Sequence, residues 1–231
     1  MTTTEFSNEF DALVQAYPTI AEFSKQDKVA FDEYEKSIFL TKAQEELVIE
    51  LYNGKNPFND SFEKTEEIRR YLGELNKQYV TANKLNEIGL SKDSFIFSLP
   101  EDLWFITYES VSLSDEALGC NTDRDVGVTP VTQDEYDRIK DNPFRGYGKR
   151  RALRLDLGDN KVEIITKYNV VQYLVRYLSR PTPIILVDLT DDLTINGIKE
   201  RTECILNPVV HRAILDRAVK LALQSKVPTG K

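Results

Sequence analysis

The sequence predicts an α+β fold, and three observations carry that expectation. Apolar side chains recur at helical spacing through the first part of the chain, the period switches to two in the middle, and an amphipathic helix closes it. The composition shift divides a mainly helical region, residues 1–90, from an α+β region, residues 91–231, expected together to form one compact unit rather than two independent domains. No internal repeat or low-complexity tract interrupts the reading.

The first helix is expected over Glu9 to Tyr17, with Phe10, Leu13, Val14 and Tyr17 on one face and Pro18 ending it. A second should run from about Lys25 to Lys36, with Val29 and Phe31 apolar. The stretch from Glu33 to Leu75 reads as a helical hairpin. Thr41 and Gln44 have capping-box spacing, Leu40, Ala43, Leu47 and Leu51 form an apolar stripe, and Gly54 supplies a left-handed C-cap. After a Pro-containing break, Asp60 or Ser61 is placed to cap a helix that buries Phe62, Ile68, Leu72 and Leu75. Lys77 to Lys92 is polar and reads as loose helix and connector.

Phe95, Phe97 and Leu99 then alternate with Ser94, Ile96 and Ser98, and after Pro100-Glu101-Asp102 Trp104, Ile106 and Tyr108 alternate with Phe105, Thr107 and Glu109, so two paired strands are expected. Ser114 to Val131 reads as a long polar loop used in a contact or left mobile. Thr132 with Glu135 caps a short helix that stops at Asn142-Pro143. Arg151 to Leu157 alternates Leu153, Leu155 and Leu157 against Ala152, Arg154 and Asp156, and Gly158-Asp159-Asn160 turns it into an antiparallel return over Lys161 to Thr166. Tyr168 to Ser179 has helical spacing through Val171, Leu174, Val175 and Leu178. Pro181 and Pro183 lead into a buried strand, Ile184 to Leu189, and a short strand is expected at Cys204 to Leu206. The last helix is capped by Asn207 and buries Val210, Ile214, Ala218 and Leu221, followed by a frayed tail from Ser225.

The composition is that of a globular chain, 41% hydrophobic and 29% charged, with a net charge of −8. The charge is uneven: residues 1–120 hold 23 Asp and Glu against 11 Lys and Arg, while residues 121–231 hold 15 against 19. Cys120 and Cys204, the two cysteines, lie far apart and outside any metal-ligand spacing, so reduced thiols are expected. The amino-terminal residues lack the basic segment and apolar run of a signal peptide, and the apolar run Ile184 to Val187 is far too short to span a bilayer, which points to synthesis in a cytoplasm.

Signals of catalysis are weak. His211, the lone histidine, reads as a surface or capping residue on the polar side of the last helix, because no serine, cysteine or carboxylate is tied to it by a motif. Asp188, Asp191 and Asp192 follow a strand where nucleases hold metals, with Glu163 and Lys167 nearby, yet their spacing suits turn formation better. No enzymatic activity, metal or cofactor is expected. The strongest charge signal is Arg145, Lys149, Arg150, Arg151 and Arg154, which suits intersubunit ion pairing, a solvated face or nucleic-acid contact, in that order.

Five segments carry a resemblance: Glu33 to Gly54, Ser61 to Leu72, Asp134 to Gly146, Lys167 to Leu186, and His211 to Leu223. They resemble the ring, or head-to-tail adaptor, proteins of crAss-like podoviruses. The resemblance implies a virion structural protein, made in the host cytoplasm. It also implies a homo-oligomeric ring, a dodecamer following portal symmetry, that stacks beneath the portal and neighbouring tail proteins and passes DNA through its lumen without specific binding or any membrane contact. Candidate interface residues are then Glu45, Glu46 and Glu50 on the hairpin and Arg145, Lys149, Arg150, Arg151 and Arg154 on the basic cluster. The alternative is a nucleic-acid-binding or regulatory phage protein that uses the cluster at 149–154.

Overall fold

The computed structural model describes residues 1–16, 30–55, 61–62, 64–119, 123–190 and 192–226. They form an α+β protein with two compact units, Met1–Leu75 with Arg180–Lys231, and Asn76–Ser179.

The first unit is helical. Helix α1 spans Thr3–Ala16, starting six residues before the expected Glu9, and buries Phe6, Phe10 and Val14; the expected end at Tyr17 and Pro18 lies outside the described residues. Helix α2 spans Glu33–Asn53. Its cap is Asp32, whose carboxylate accepts from the Glu35 amide at 2.6 Å while Glu35 accepts from the Asp32 amide at 3.2 Å. Gly54, at φ 71°, closes it as expected. Lys25 to Val29 of the expected second helix lie outside the described residues, and Glu33 to Lys36 belong to α2. The hairpin's second arm is short: α3 is Glu66–Tyr71, followed by a 3-10 turn at Gly73–Leu75, with Phe62, Ile68, Leu72 and Leu75 buried as expected. The proposed cap at Asp60 lies outside the described residues, and Ser61 instead accepts turn hydrogen bonds from Lys64 and Thr65 through its carbonyl.

Thr41 and Gln44 lie in the middle of α2, where their capping-box spacing has a different use. Leu40, Ala43, Val48 and Leu51 make the apolar stripe, with Leu47 only half-buried. Beside it runs a buried polar seam. The Ser37 hydroxyl accepts from the Leu186 amide at 3.0 Å, Thr41 Oγ1 accepts from the Ile184 amide at 3.1 Å, and Gln44 Nε2 donates to the Thr182 carbonyl at 2.8 Å. The segment after Pro181 is extended and buries Ile184 to Leu186, as its prolines suggested, but its hydrogen bonds are divided between the α2 side chains and residues 199–202; a single bridge, Ile185 to Thr202, stands where two strands were expected.

Helix α4, Gln133–Ile139, belongs to the second unit and is capped by the Thr132 hydroxyl, which accepts from the Glu135 amide at 3.2 Å. Helix α5, Pro208–Lys226, returns to the helical unit, with Asn207 Oδ1 accepting from the Val209 amide. It packs on α2 in antiparallel sense, since Glu50 meets Arg217 at 2.5 Å and Glu35 meets Lys226 at 3.7 Å. Lys36, almost fully buried, ties α2 to α1 through Asp11 at 2.7 Å. Burial alone would lower its pKa, but hydrogen bonds to Asp11 and Glu33 outweigh that and raise it.

The second unit is a seven-stranded sheet in the order β1-β7-β3-β4-β5-β6-β2, antiparallel except for β4–β5. The strands are β1 Asn76–Thr81, β2 Ser94–Ser98, β3 Leu103–Ser114, β4 Asp123–Pro130, β5 Arg151–Gly158, β6 Lys161–Ile165 and β7 Val170–Ser179. The β5–β6 hairpin turns at Gly158-Asp159-Asn160, all three at positive φ, as the sequence predicts. Four other expectations change. Lys77 to Lys92 begins as β1, a polar edge strand whose side chains face solvent on most positions. Strands β2 and β3 do not pair: β2 pairs with β6, and β3 lies between β7 and β4. The polar stretch after Ser114 holds a 3-10 turn and then β4, in which only Val126 and Val128 mark the period. Tyr168 to Ser179 is β7, a strand with neighbours on both sides, not a helix. Its apolar residues occupy both faces, which lets a period-two segment imitate a period of 3.6. One face of the sheet closes over Phe97, Val111, Val162, Ile164, Tyr173 and Val175; the other face of β5 and β6, through Leu153, Leu155 and Ile165, packs on Tyr136 and Ile139 of α4.

Candidate functional site

The basic cluster occupies the loop from Asn142 to Arg151, between α4 and β5, and the loop is held rigidly. Asn142 Oδ1 accepts from the amides of Phe144 and Arg145 at 2.8 and 3.2 Å. Gly146 packs so closely that a Cβ there would lie 2.7–2.8 Å from the carbonyls of Asn142, Ile139 and Lys140. Arg151 Nη1 donates to the Phe144 carbonyl at 2.9 Å, and the Gly148 amide donates to the Arg151 carbonyl at 2.9 Å, which places Lys149 and Arg150 at the tip of a tight turn.

Together these residues surround an open hollow of about 460 Å³ lined by Phe144, Tyr147, Lys149, Arg150 and Arg151 among others, with no carboxylate in its wall. Among the described residues, Arg145, Lys149 and Arg150 pair with no carboxylate. Phe144 is 86% exposed. The sequence reading passed over it. Its signal was an apolar residue placed directly after a helix-ending Asn-Pro and inside a run of cations and glycines.

Arg154 is not part of this surface. It points into the sheet core, where its Nη1 meets Glu109 Oε1 at 2.6 Å, and the Tyr173 hydroxyl donates to Glu109 Oε2 at 2.6 Å. Burial lifts the Glu109 carboxyl above its ordinary value, opposed by Arg154 and Tyr173. β5 alternates as the sequence predicts, but it is buried on both faces from Ala152 to Leu155, so Arg154 on its polar face is kept from solvent while Asp156 reaches it.

On α2 the acidic candidates also separate. Glu45 pairs with Arg180 at 2.8 Å and Glu50 with Arg217, while Glu46 has no partner among the described residues and lies one turn from the partly exposed Ile49. Internal pairing therefore neutralises two of the three.

The residues weighed for catalysis take structural positions. His211 is buried, not on the surface: Nε2 is 2.8 Å from the Leu206 carbonyl and Nδ1 is 2.7 Å from the Met1 amine. Burial lowers its pKa. Asp188 Oδ1 accepts from the Arg201 amide at 2.7 Å, tying together two segments 13 residues apart instead of forming a local turn, and Asp191 lies outside the described residues, as does Cys120. Glu163 is buried and clamps the amides of Leu90 and Ser91 at 3.0 Å each. Burial pushes the Cys204 thiol up to about 11, which leaves it protonated and unreactive. Among the described residues no cluster could hold a metal ion, and no helix is long and apolar enough to cross a membrane.

The phage tail ring protein 3/4 family matches residues 1–230. The chain belongs to that family. It is 54% identical to Ring protein 3 of Bacteroides phage crAss001 over 228 residues, 98% of this chain and 96% of the relative. It is also 33% identical to Ring protein 4/5 of the same phage over 249 residues, 100% of this chain and 99% of the relative. A tail ring protein is a structural component of the virion. The surfaces that matter in a ring are therefore those that meet other copies and neighbouring tail proteins, and the rigid cationic loop and the outer side of α2 are this ring protein's candidates.

Proposed function

We propose that this ring protein assembles as a homo-oligomer, a dodecamer matching portal symmetry, in the head-to-tail connector beneath the portal, where its lumen passes the genome without specific binding. The observation that carries the reading is the full-length match to a tail ring family and to two ring proteins of one phage. A closed ring of one chain joins two different surfaces of each subunit, and the split between an acidic first half and a basic second half suits such a contact. Glu46 supplies available charge on one side, and Arg145, Lys149, Arg150 and Arg151 on the other, while Glu45, Glu50 and Arg154 are engaged within the subunit. The role is structural and not enzymatic: the lone histidine has both ring nitrogens occupied, and the Cys204 thiol is held protonated.

Mass photometry of the purified chain, alone and mixed with the portal, tests this. A single species at a fixed multiple of the subunit mass supports it, and a monomer under both conditions refutes it. The basic loop also fits a nucleic-acid contact. Salt-sensitive DNA binding that disappears in Arg150→Ala/Arg151→Ala would favour that second reading.

A further inference from the structure

We infer that the Asn142–Arg151 loop is an aromatic-anchored grip for a second copy of this chain, in which Phe144 supplies the affinity and the cations around it set orientation. The inference rests on the ring reading and adds to it the residue on which assembly depends.

Phe144 is the loop's most exposed large apolar side chain, yet the Asn142 side chain, the tight Gly146 packing and the Arg151 guanidinium fix the backbone that presents it. An aromatic ring held in water on a rigid loop loses little entropy when a partner covers it, which is how a small contact gains high affinity. A second loop stands beside it. The Tyr147 hydroxyl reaches Ser91, and Lys167 Nζ lies 5.6 Å from the centre of the Tyr147 ring. In that neighbouring loop Ile88 is fully exposed and Leu90 60% exposed, with the backbone pinned by Glu163 and by the Glu87–Lys161 ion pair at 2.6 Å. The unit thus presents two braced loops carrying apolar side chains, with unpaired cations around one of them.

The matching occupant must offer apolar surface with carboxylate in it. The chain itself does: on α2, Ile38, Lys42, Glu46 and Ile49 form an outward stripe in which both isoleucines are partly exposed and Glu46 is unpaired among the described residues. That stripe on a second copy fits the loop better than DNA does: its isoleucines can cover the exposed Phe144 ring, which a phosphate backbone leaves wet, and Glu46 can meet one of the unpaired cations, with the exposed Lys42 one turn away setting its orientation.

The experiment follows assembly of the full chain against concentration by mass photometry at low and high salt, comparing wild type with Phe144→Ser, with Lys149→Glu/Arg150→Glu, with Glu46→Lys, and with Arg150→Glu/Glu46→Lys together. All these positions face solvent or are half-buried, and circular dichroism checks folding. Phe144→Ser should raise the half-assembly concentration roughly tenfold or more at both salt levels. The charge reversals should weaken assembly at low salt and converge with wild type at high salt, and the paired reversal should restore it. Rings that form normally in Phe144→Ser overturn the inference and leave the ring reading intact, whereas wild type that never assembles defeats both. A paired reversal without rescue removes Glu46 as the counterpart. A fluorescent DNA oligonucleotide that binds wild type but not Phe144→Ser or Lys149→Glu/Arg150→Glu, with assembly unchanged in both, would give the loop to phosphate and overturn the second copy as its occupant.

Discussion

Replacing Arg154 with methionine should destabilise the sheet unit by about 3–5 kcal/mol, because it removes one partner of a buried ion pair and leaves the other in place. The Glu109 side chain is 4% exposed and that of Arg154 10%, so neither can recover solvation when its partner is lost. Asp156, at 3.3 Å from Arg154 Nε, is 71% exposed and contributes little. In a chain of this size the loss corresponds to a fall in melting temperature of about 6–20 °C. Trp104 is the only tryptophan and lies in β3, next to the strand that carries Tyr173, so urea unfolding followed by its fluorescence reports on this unit directly. Adding Glu109→Gln to Arg154→Met should recover much of the loss, since the amide still accepts from Tyr173 and carries no charge. The deficit should also shrink at acid pH. Glu109 already has a folded-state pKa above its ordinary value, and losing Arg154 raises it further, so the folded state takes up a proton more readily than the unfolded one and the variant recovers as pH falls. An Arg154→Met protein within 1 kcal/mol of wild type at neutral pH would refute this account of the core.

Gln44→Leu should cost about 1–3 kcal/mol, because the Thr182 carbonyl loses its donor inside the helical unit; a variant as stable as wild type in denaturant titration would mean the polar seam of α2 contributes nothing. His211 gives a pH dependence of opposite sense to that of Glu109. Burial depresses its folded-state pKa below 6.5, so the unfolded chain binds the proton first, and stability is full above 6.5 and lost as pH falls from there toward the folded value. His211→Gln, which keeps a donor for the Leu206 carbonyl, should flatten that part of the melting-temperature profile; an unchanged profile would show that other groups cause it.

Much of the fold was legible where one local signal had one structural outcome. Thr132 with Glu135, the Gly158-Asp159-Asn160 turn, Gly54 and Asn207 all act where the sequence placed them. The failures share a cause: a residue pattern with two physical uses. Thr41 and Gln44 have cap spacing, but the same side chains at mid-helix can hold an extended segment, and only the position of Ile184 selects between those uses. β7 packs Tyr173, Val175 and Tyr177 on one face, but Leu174 and Leu178 on the other give it apolar residues at helical spacing and hide the alternation that would have marked it as a strand. β1 and β4 are polar: β1 takes its pairing from β7, remote in sequence, while β4 pairs with the preceding β3 but has only Val126 and Val128 to mark its period. At the candidate site the cations of the loop were visible as charge. Their separation into a surface group and the core residue Arg154 was not, because it depends on Glu109, 45 residues away. Phe144 went unnoticed because an isolated aromatic in a loop is common, and it becomes informative only once the loop is seen to be rigid.

The mass of the purified protein tests the central claim most directly. Native mass spectrometry or mass photometry, alone and with the portal added, should give one closed species at twelve times the 26.5 kDa subunit. A protein that stays at 26.5 kDa in both conditions at every concentration would contradict the claim that this chain builds a ring of itself.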